Sequence, residues 1–291
     1  MRFELGQEII DMLRGKFTRH RTPFWKRDID TPDYLSIVAI LKNEAPYIKE
    51  WIEYHKLVGV ERFYLYDNES EDNLKEILQP YIDDEIVIYK YLPGKYMQYP
   101  AYNDAIKRYK YKTRWLAIID ADEFIIPISK ATLNECLKDF EGYPALGINW
   151  VVYDSNGNIK KPDGLVIENY TRTYEDSNDW HNIHIKSIVN PRKVKKCQQP
   201  HYCEYTNNQK AVNENLIPID GPFTKNNSVK KIRINHYYSK SKNEYIAKIN
   251  RGTATQHGNK IIQEEDYNFP ETKQDFIMGK YVIKLKLLLH E

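Results

Sequence analysis

The chain has 291 residues and a mass of 34.7 kDa, enough for one large domain or two small ones with a substantial core. A hydrophobic content of 41%, a mean hydropathy of −0.70 and the lack of any apolar run near the ~20 residues of a bilayer span argue against an integral membrane protein. Forty-three basic against 41 acidic residues, a net charge of +2, are too balanced for a nucleic-acid coat. Three cysteines without a CxxC argue against a disulfide framework or a cysteine-rich zinc site, and point to a reduced protein. Acids within the N-terminal apolar stretch do not read as a secretory signal, so the expected location is cytoplasmic.

Residues 1–33 read as an amphipathic basic lead, in which 14–27 hold six basic residues, three aromatics and no acid. Strand-length apolar runs follow at 35–41, 62–66, 85–91 and 115–119. Between them lie helical patterns at 45–58, 73–81 and 101–109. In the first of these, Ile48, Trp51, Ile52, His55 and Val58 recur every three or four residues, and Gly59 can stop the helix. That alternation predicts an α/β fold with a central, mostly parallel sheet flanked by helices.

The alternation weakens after Pro127. Strands are expected at 145–152, 186–189 and 232–238 and a helix at 242–250, as a mixed second half on the same sheet. The domain reading is therefore the lead at 1–33, one domain at 34–252 with halves 34–127 and 128–252, and a helical tail at 253–291. The tail's apolar KLKLLL and the basic lead suggest peripheral contact with the inner face of a plasma membrane.

In open α/β sheets ligands bind beyond the carboxyl ends of the strands. Those positions hold Lys42-Asn43-Glu44 after the first strand, Asp67 after the second, and Asp120-Ala121-Asp122-Glu123 after the fourth. No GxGxxG or GxxxxGK[ST] occurs, so a glycine-cradled phosphate is not expected. A diphosphate neutralised by a metal on carboxylates is the natural replacement. Asp120 and Asp122, spaced by one residue at a strand end, place both carboxylates on one side to hold Mn²⁺ or Mg²⁺.

Asp67 could accept hydrogen bonds from a base or ribose, or serve a turn. Asn43 and Glu44 could line a nucleoside pocket, or Asn43 could cap the helix starting at Ala45. His236, directly after an apolar strand, is a candidate further metal ligand, with His201 a weaker one. Trp150 could stack on an acceptor sugar or sit in the core. His181 and His184 fall in a loop-like stretch and are not taken as a zinc site.

SIVAILKNEAPYIKEWIEYHKLVGVERFYLYDNESEDN, RWLAIIDADEFIIP, KSIVNPRKV and INHYYSKSKNEYIAKINRG together resemble glycosyltransferase family 92, a relative of the family 2 transferases, over residues 35–252. The resemblance implies a GT-A fold, a nucleotide-sugar donor, a divalent metal and, from better-known members, inverting transfer from UDP-galactose. It places the DxD motif at Asp120 and Asp122 and the KNE motif at Lys42, Asn43 and Glu44. It also assigns Asp67, Lys186, Asn235-His236-Tyr237 and Arg251 to the nucleotide-sugar and metal site. Asp154 stands where glycine is common in the acceptor loop after Trp150.

An inverting transfer needs a base for the acceptor hydroxyl. Asp154, Glu168 and Glu204, in the half where the acceptor should bind, are the candidates. The expected role is transfer to an oligosaccharide or lipid-linked acceptor in bacterial surface polysaccharide synthesis, lipopolysaccharide or capsule, with no nucleic-acid partner. A non-catalytic sugar-binding module of the same fold is the alternative. A nucleotidyltransferase would show a Gly- and Lys/Arg-rich loop after the first strand, which KNEAPY lacks.

Overall fold

The computed structural model describes residues 31–252 and 262–290. The basic lead lies almost entirely outside the described residues, as does the first part of the tail. At the centre of the main sheet β1 (Asp33–Leu41) pairs in parallel with β2 (Arg62–Asp67) on one side and β4 (Thr113–Ile118) on the other. β3 (Val87–Tyr91) extends the β2 side in parallel. Beyond β4, β8 (Ile185–Val189) runs antiparallel, and β6 (Ala145–Val152) pairs antiparallel to β8. The short β11 (Ala211–Val212) and β12 (Pro218–Ile219) finish that edge. The second half thus grows on the same sheet, as expected.

Side chains alternate across β1 because strand periodicity is two. Leu35, Ile37, Ala39 and Leu41 face one apolar layer, while Val38 faces the other with Tyr64, Tyr66, Leu116 and Ile118. Burial on both faces is what a helix-covered parallel sheet requires. The first layer takes α1 (Ile48–Leu57) and α2 (Leu74–Asp83), and the second takes α3 (Gln98–Tyr109). Each fully buried Ile or Leu contributes ~1.5–3 kcal/mol. Gly59 ends α1 at φ 108°, a left-handed turn that a side chain would strain.

α1 also fixes a strand that the apolar pattern did not separate from its neighbour. β5 (Glu123–Pro127) pairs antiparallel with β13 (Ile232–His236), and β13 runs parallel to the end of β6. The other edge of β5 is met by α1 side chains. Trp51 Nε1 donates to the Glu123 carbonyl at 2.8 Å, and the Tyr54 hydroxyl donates to the Ile125 carbonyl at 3.0 Å. His55 Nε2 accepts from the Ile125 amide at 3.2 Å, while its Nδ1 lies 2.8 Å from the Trp51 carbonyl. Only a neutral imidazole fills both roles, and complete burial lowers its pKa to about 3.

Short elements complete the second half. α4 (Leu133–Leu137) follows β5, and α5 (Val166–Asn169) is held by Glu50, which accepts from the Val166 and Ile167 amides at 2.8 and 3.0 Å. β7 (Arg172–Tyr174) pairs with β14 (Thr272–Gln274), so the tail is not helical throughout; among its described residues the α-helix is α7 (Gly279–Leu289). β9 (Val194–Cys197) and β10 (Cys203–Tyr205) form a hairpin closed by a Cys197–Cys203 disulfide. This corrects the expectation of fully reduced cysteines. Two of the three pair because the hairpin register sets them opposite one another, with Cα atoms 4.2 Å apart. No helix among the described residues is long and apolar enough to cross a membrane.

Candidate active site

The turn between β4 and β5 carries three acids, Asp120, Asp122 and Glu123. The Asp120 amide donates to Glu123 Oε2 at 3.0 Å and the Glu123 amide returns a bond to the Asp120 carbonyl at 3.1 Å, so the four-residue turn is closed on itself. Lys186, rising from β8 and 1% exposed, donates to Asp120 Oδ2 at 2.7 Å and stands 3.6 Å from Glu123 Oε1. Tyr102 and Gln98, from the start of α3, donate to Asp120 Oδ1 at 3.2 and 3.3 Å. Burial alone would raise the Asp120 pKa, but the Lys186 ammonium overrides it and the carboxyl stays below its usual range. Glu123, fully buried beside two carboxylates, is pushed well above its range.

Asp122 has different partners. Lys248, from α6 (Lys242–Asn250), donates to its Oδ2 at 2.6 Å, and His236 Nε2 lies 3.5 Å from its Oδ1. Burial opposes ionisation here too, but Lys248 and His236 hold Asp122 well below the ordinary value. His236 itself is lowered by burial, against the pull of Asp122, and among the described residues its Nδ1 has no hydrogen-bond partner. The Trp150 ring packs on His236 with centroids 4.3 Å apart, and His201 lies 5.1 Å from Trp150 with its pKa lowered by burial to about 3.

α6 spans the strand ends. A capping box of Ser241 and Glu244 starts it, and Lys248 and Arg251, three residues apart, lie one turn from each other. Arg251 donates to the Lys42 carbonyl and to Glu44 Oε1, the latter from both terminal nitrogens at 3.1 Å. One helix end therefore ties the exit of β1 to the exit of β4. Lys240, buried just before α6, has its pKa lowered by that burial, and its ammonium sits 4.4 Å from the Tyr47 ring centroid.

Other expected residues are engaged differently. Asn43 takes φ 57° and accepts from the Glu71 amide at 2.8 Å; it does not cap α1, whose N-cap is Tyr47. The left-handed conformation turns its amide toward the β2–α2 loop instead. Asp67 is buried, accepting from the Tyr89 hydroxyl at 2.6 Å and the Ser70 amide at 2.8 Å.

The three acids named as base candidates are not brought to this turn. Asp154, fully buried, accepts from Arg172, from the Asn156 amide at 2.9 Å and from the Phe269 amide at 3.1 Å. Glu168 pairs with Lys286 of α7 at 2.7 Å, and Glu204 faces solvent on the β9–β10 hairpin, 3.4 Å from Lys195. What brings Asp120, Asp122, Lys186, His236 and Trp150 together is strand order: β4, β8, β6 and β13 are successive neighbours. Lys248, Tyr102 and Gln98 were not singled out from the sequence. Lys248 had a signal, its one-turn spacing from Arg251 on a predicted helix.

An α/β chain whose charged side chains gather beyond the carboxyl ends of a mostly parallel sheet is of the class that binds ligands at the strand ends. This chain belongs to glycosyltransferase family 92, whose family model matches residues 38–273. It is 29% identical over 124 residues to a glycosyltransferase family 92 protein of Oryza sativa subsp. japonica, covering 42% of this chain and 21% of that protein. To a galactan beta-1,4-galactosyltransferase of Arabidopsis thaliana it is 30% identical over 106 residues, covering 33% of this chain and 21% of the other. The alignments span about a fifth of these relatives' length. A crystal structure of S. aureus TarS 1–349 in complex with UDP superposes on 45% of this chain and 37% of its own at 14% identity and TM-score 0.31, too slight a likeness to bear on function.

Proposed function

We propose that the protein transfers a sugar from a nucleotide-sugar donor, UDP-galactose as the first choice and with inversion, to a saccharide acceptor. The observation that carries this is the Asp122 carboxylate at the exit of β4, set between His236 and Lys248, with Arg251 paired to Glu44 at the exit of β1. Membership of the family and the galactosyltransferase name of a relative support the donor. Lys186, Lys248 and Arg251 would stabilise charge on the departing diphosphate. Asp67, Asn43 and Glu44 line the approach at the β1 and β2 exits, where a nucleoside would lie. Neither Asp154, Glu168 nor Glu204 is given the role of base. The named plant relatives lend nothing to a bacterial surface polysaccharide, and the acceptor is proposed only as a saccharide.

A divalent ion, Mn²⁺ or Mg²⁺, fits this chemistry through Asp122 and His236. Asp120 has both oxygens taken by Lys186, Tyr102 and Gln98, whereas Asp122 gives only Oδ2 to Lys248 and holds Oδ1 3.5 Å from His236 Nε2. Among the described residues no three His, Cys, Asp or Glu side chains are arranged to hold a metal, so the diphosphate would supply the remaining oxygens, as such ions commonly require. The ion would act as a Lewis acid on the leaving group.

Thermal-shift titration with UDP-, GDP-, CMP- and TDP-sugars, with and without Mn²⁺, tests the reading on wild type and Asp122→Ala. Mn²⁺-dependent stabilisation by UDP-sugars that the variant loses is expected. Stabilisation by none of them, or equal stabilisation of the variant, contradicts it; binding without product would favour the non-catalytic module. Peripheral membrane contact belongs to the same proposal. α7 leaves Ile283 and Leu287 exposed beside Lys280 and Lys284, and unchanged vesicle sedimentation of Ile283→Ser/Leu287→Ser would oppose it.

A further inference from the structure

We propose that Trp180, Phe223 and His184 form an acceptor subsite, an aromatic platform that takes a neutral saccharide chain by stacking and leads it toward the β4–β5 turn. The inference rests on reading that turn as a sugar-transfer site. Trp180 is 56% exposed and Phe223 37%, with ring centroids 4.7 Å apart. Both pack against His184, at 4.8 and 4.5 Å. His184 in turn stacks on Trp150 at 5.0 Å and 12°, and Trp150 meets His236, the neighbour of Asp122. Contacting rings therefore run without a break from the carboxylate to the surface. Along that run the buried Trp150 Nε1 has no hydrogen-bond partner among the described residues.

The platform is preorganised, which lowers the entropy lost on binding. His184 and Phe223 face each other in an antiparallel bridge, bracketed by bonds from the Ile185 amide to the Pro222 carbonyl and from the Thr224 amide to the Ile183 carbonyl, both 3.0 Å. Asn149 ties the two segments together, donating to Thr224 Oγ1 at 2.6 Å and to the Ile183 carbonyl at 3.1 Å. Charge selects the ligand class. The loop leading into Trp180 carries Glu175, Asp176 and Asp179 and no cation, while the segment bearing Phe223 adds only Lys225. Burial lowers the His184 pKa, so its ring is neutral at pH 7. A phosphate or an anionic headgroup is repelled there. A polyol that presents a C–H face to the rings is not.

The full chain, as wild type, Trp180→Ala, Phe223→Ala and Trp180→Phe, is passed over an array of defined neutral oligosaccharides and separately titrated with UDP and Mn²⁺. Wild type should retain at least one oligosaccharide, Trp180→Ala or Phe223→Ala should weaken it roughly tenfold, and Trp180→Phe should restore most of it. UDP affinity should be the same in all four. Retention that ignores both alanine variants, or no retention by a protein that binds UDP, overturns the platform. A fall in UDP affinity in Trp180→Ala would also overturn it, by making the rings a base-stacking site. Failure of wild type to bind UDP counts against the transferase reading instead. Trp180-dependent glycan retention would then leave the platform standing as a saccharide site.

Discussion

The two halves of the domain are held together by different forces. In 34–127 the work is done by apolar periodicity: β1 alternates between two layers and three helices close over them. In 128–252 short strands are pinned by side chains bonded to backbone. Glu214, 3% exposed, accepts from the amides of Lys230, Lys231 and Ile232 at 2.9, 2.7 and 3.1 Å and from Ser228 Oγ at 2.8 Å. Asn227 donates to the carbonyls of Trp150 and Asn182, and Asn182 accepts from the Val152 amide. Outside the β6–β8 and β5–β13 ladders, the loops of this half must satisfy their buried backbone groups one at a time.

That contrast can be broken by substitution. Ile37→Ala, in the centre of β1, should cost roughly 4 kcal/mol as a cavity that the packed layer cannot collapse. Glu214→Ala should cost about 3 kcal/mol by orphaning buried amides, although it removes almost no apolar area. Both are read from denaturant midpoints, and a Glu214→Ala effect below ~0.5 kcal/mol would show that water replaces the clamp. Asp154→Asn should cost about 2 kcal/mol through its pairing with Arg172 and the Phe269 amide. Its turnover per folded molecule should stay within a few-fold, and a collapse of kcat with unchanged stability would return Asp154 to the role of base.

The last comparison concerns pH. His55 has a folded pKa of about 3 against 6.5 when unfolded, so below pH 6.5 the unfolded chain takes up a proton that the native chain refuses. Stability contributed at neutral pH is therefore lost as pH falls from 6.5 toward 3, at no more than ~1.4 kcal/mol per pH unit. His55→Gln should flatten that slope in thermal melts between pH 7 and 5. An unchanged slope would mean that His55 is protonated in the native state.

Legibility followed the same division. The first four strands, their helices and the Gly59 stop were readable because period and burial coincide there. β5 was not, since its apolar EFIIP follows Asp122 without a break and its pairing partner β13 lies about a hundred residues away. The candidate site was legible as residue types at strand exits. Its pairings were not: a list of acids does not show that Asp154 is consumed by Arg172, or that Lys248 reaches Asp122. The disulfide was hidden because a separation of six positions between cysteines specifies nothing until a hairpin register sets them opposite one another.

The central claim, donor binding at the β4–β5 turn through Asp122, is tested most directly by calorimetric titration of UDP into wild type and Asp122→Asn, with and without Mn²⁺. Binding that requires Mn²⁺ and weakens at least roughly tenfold in the variant is the predicted result. Equal UDP affinity in both proteins, with or without the ion, would contradict it.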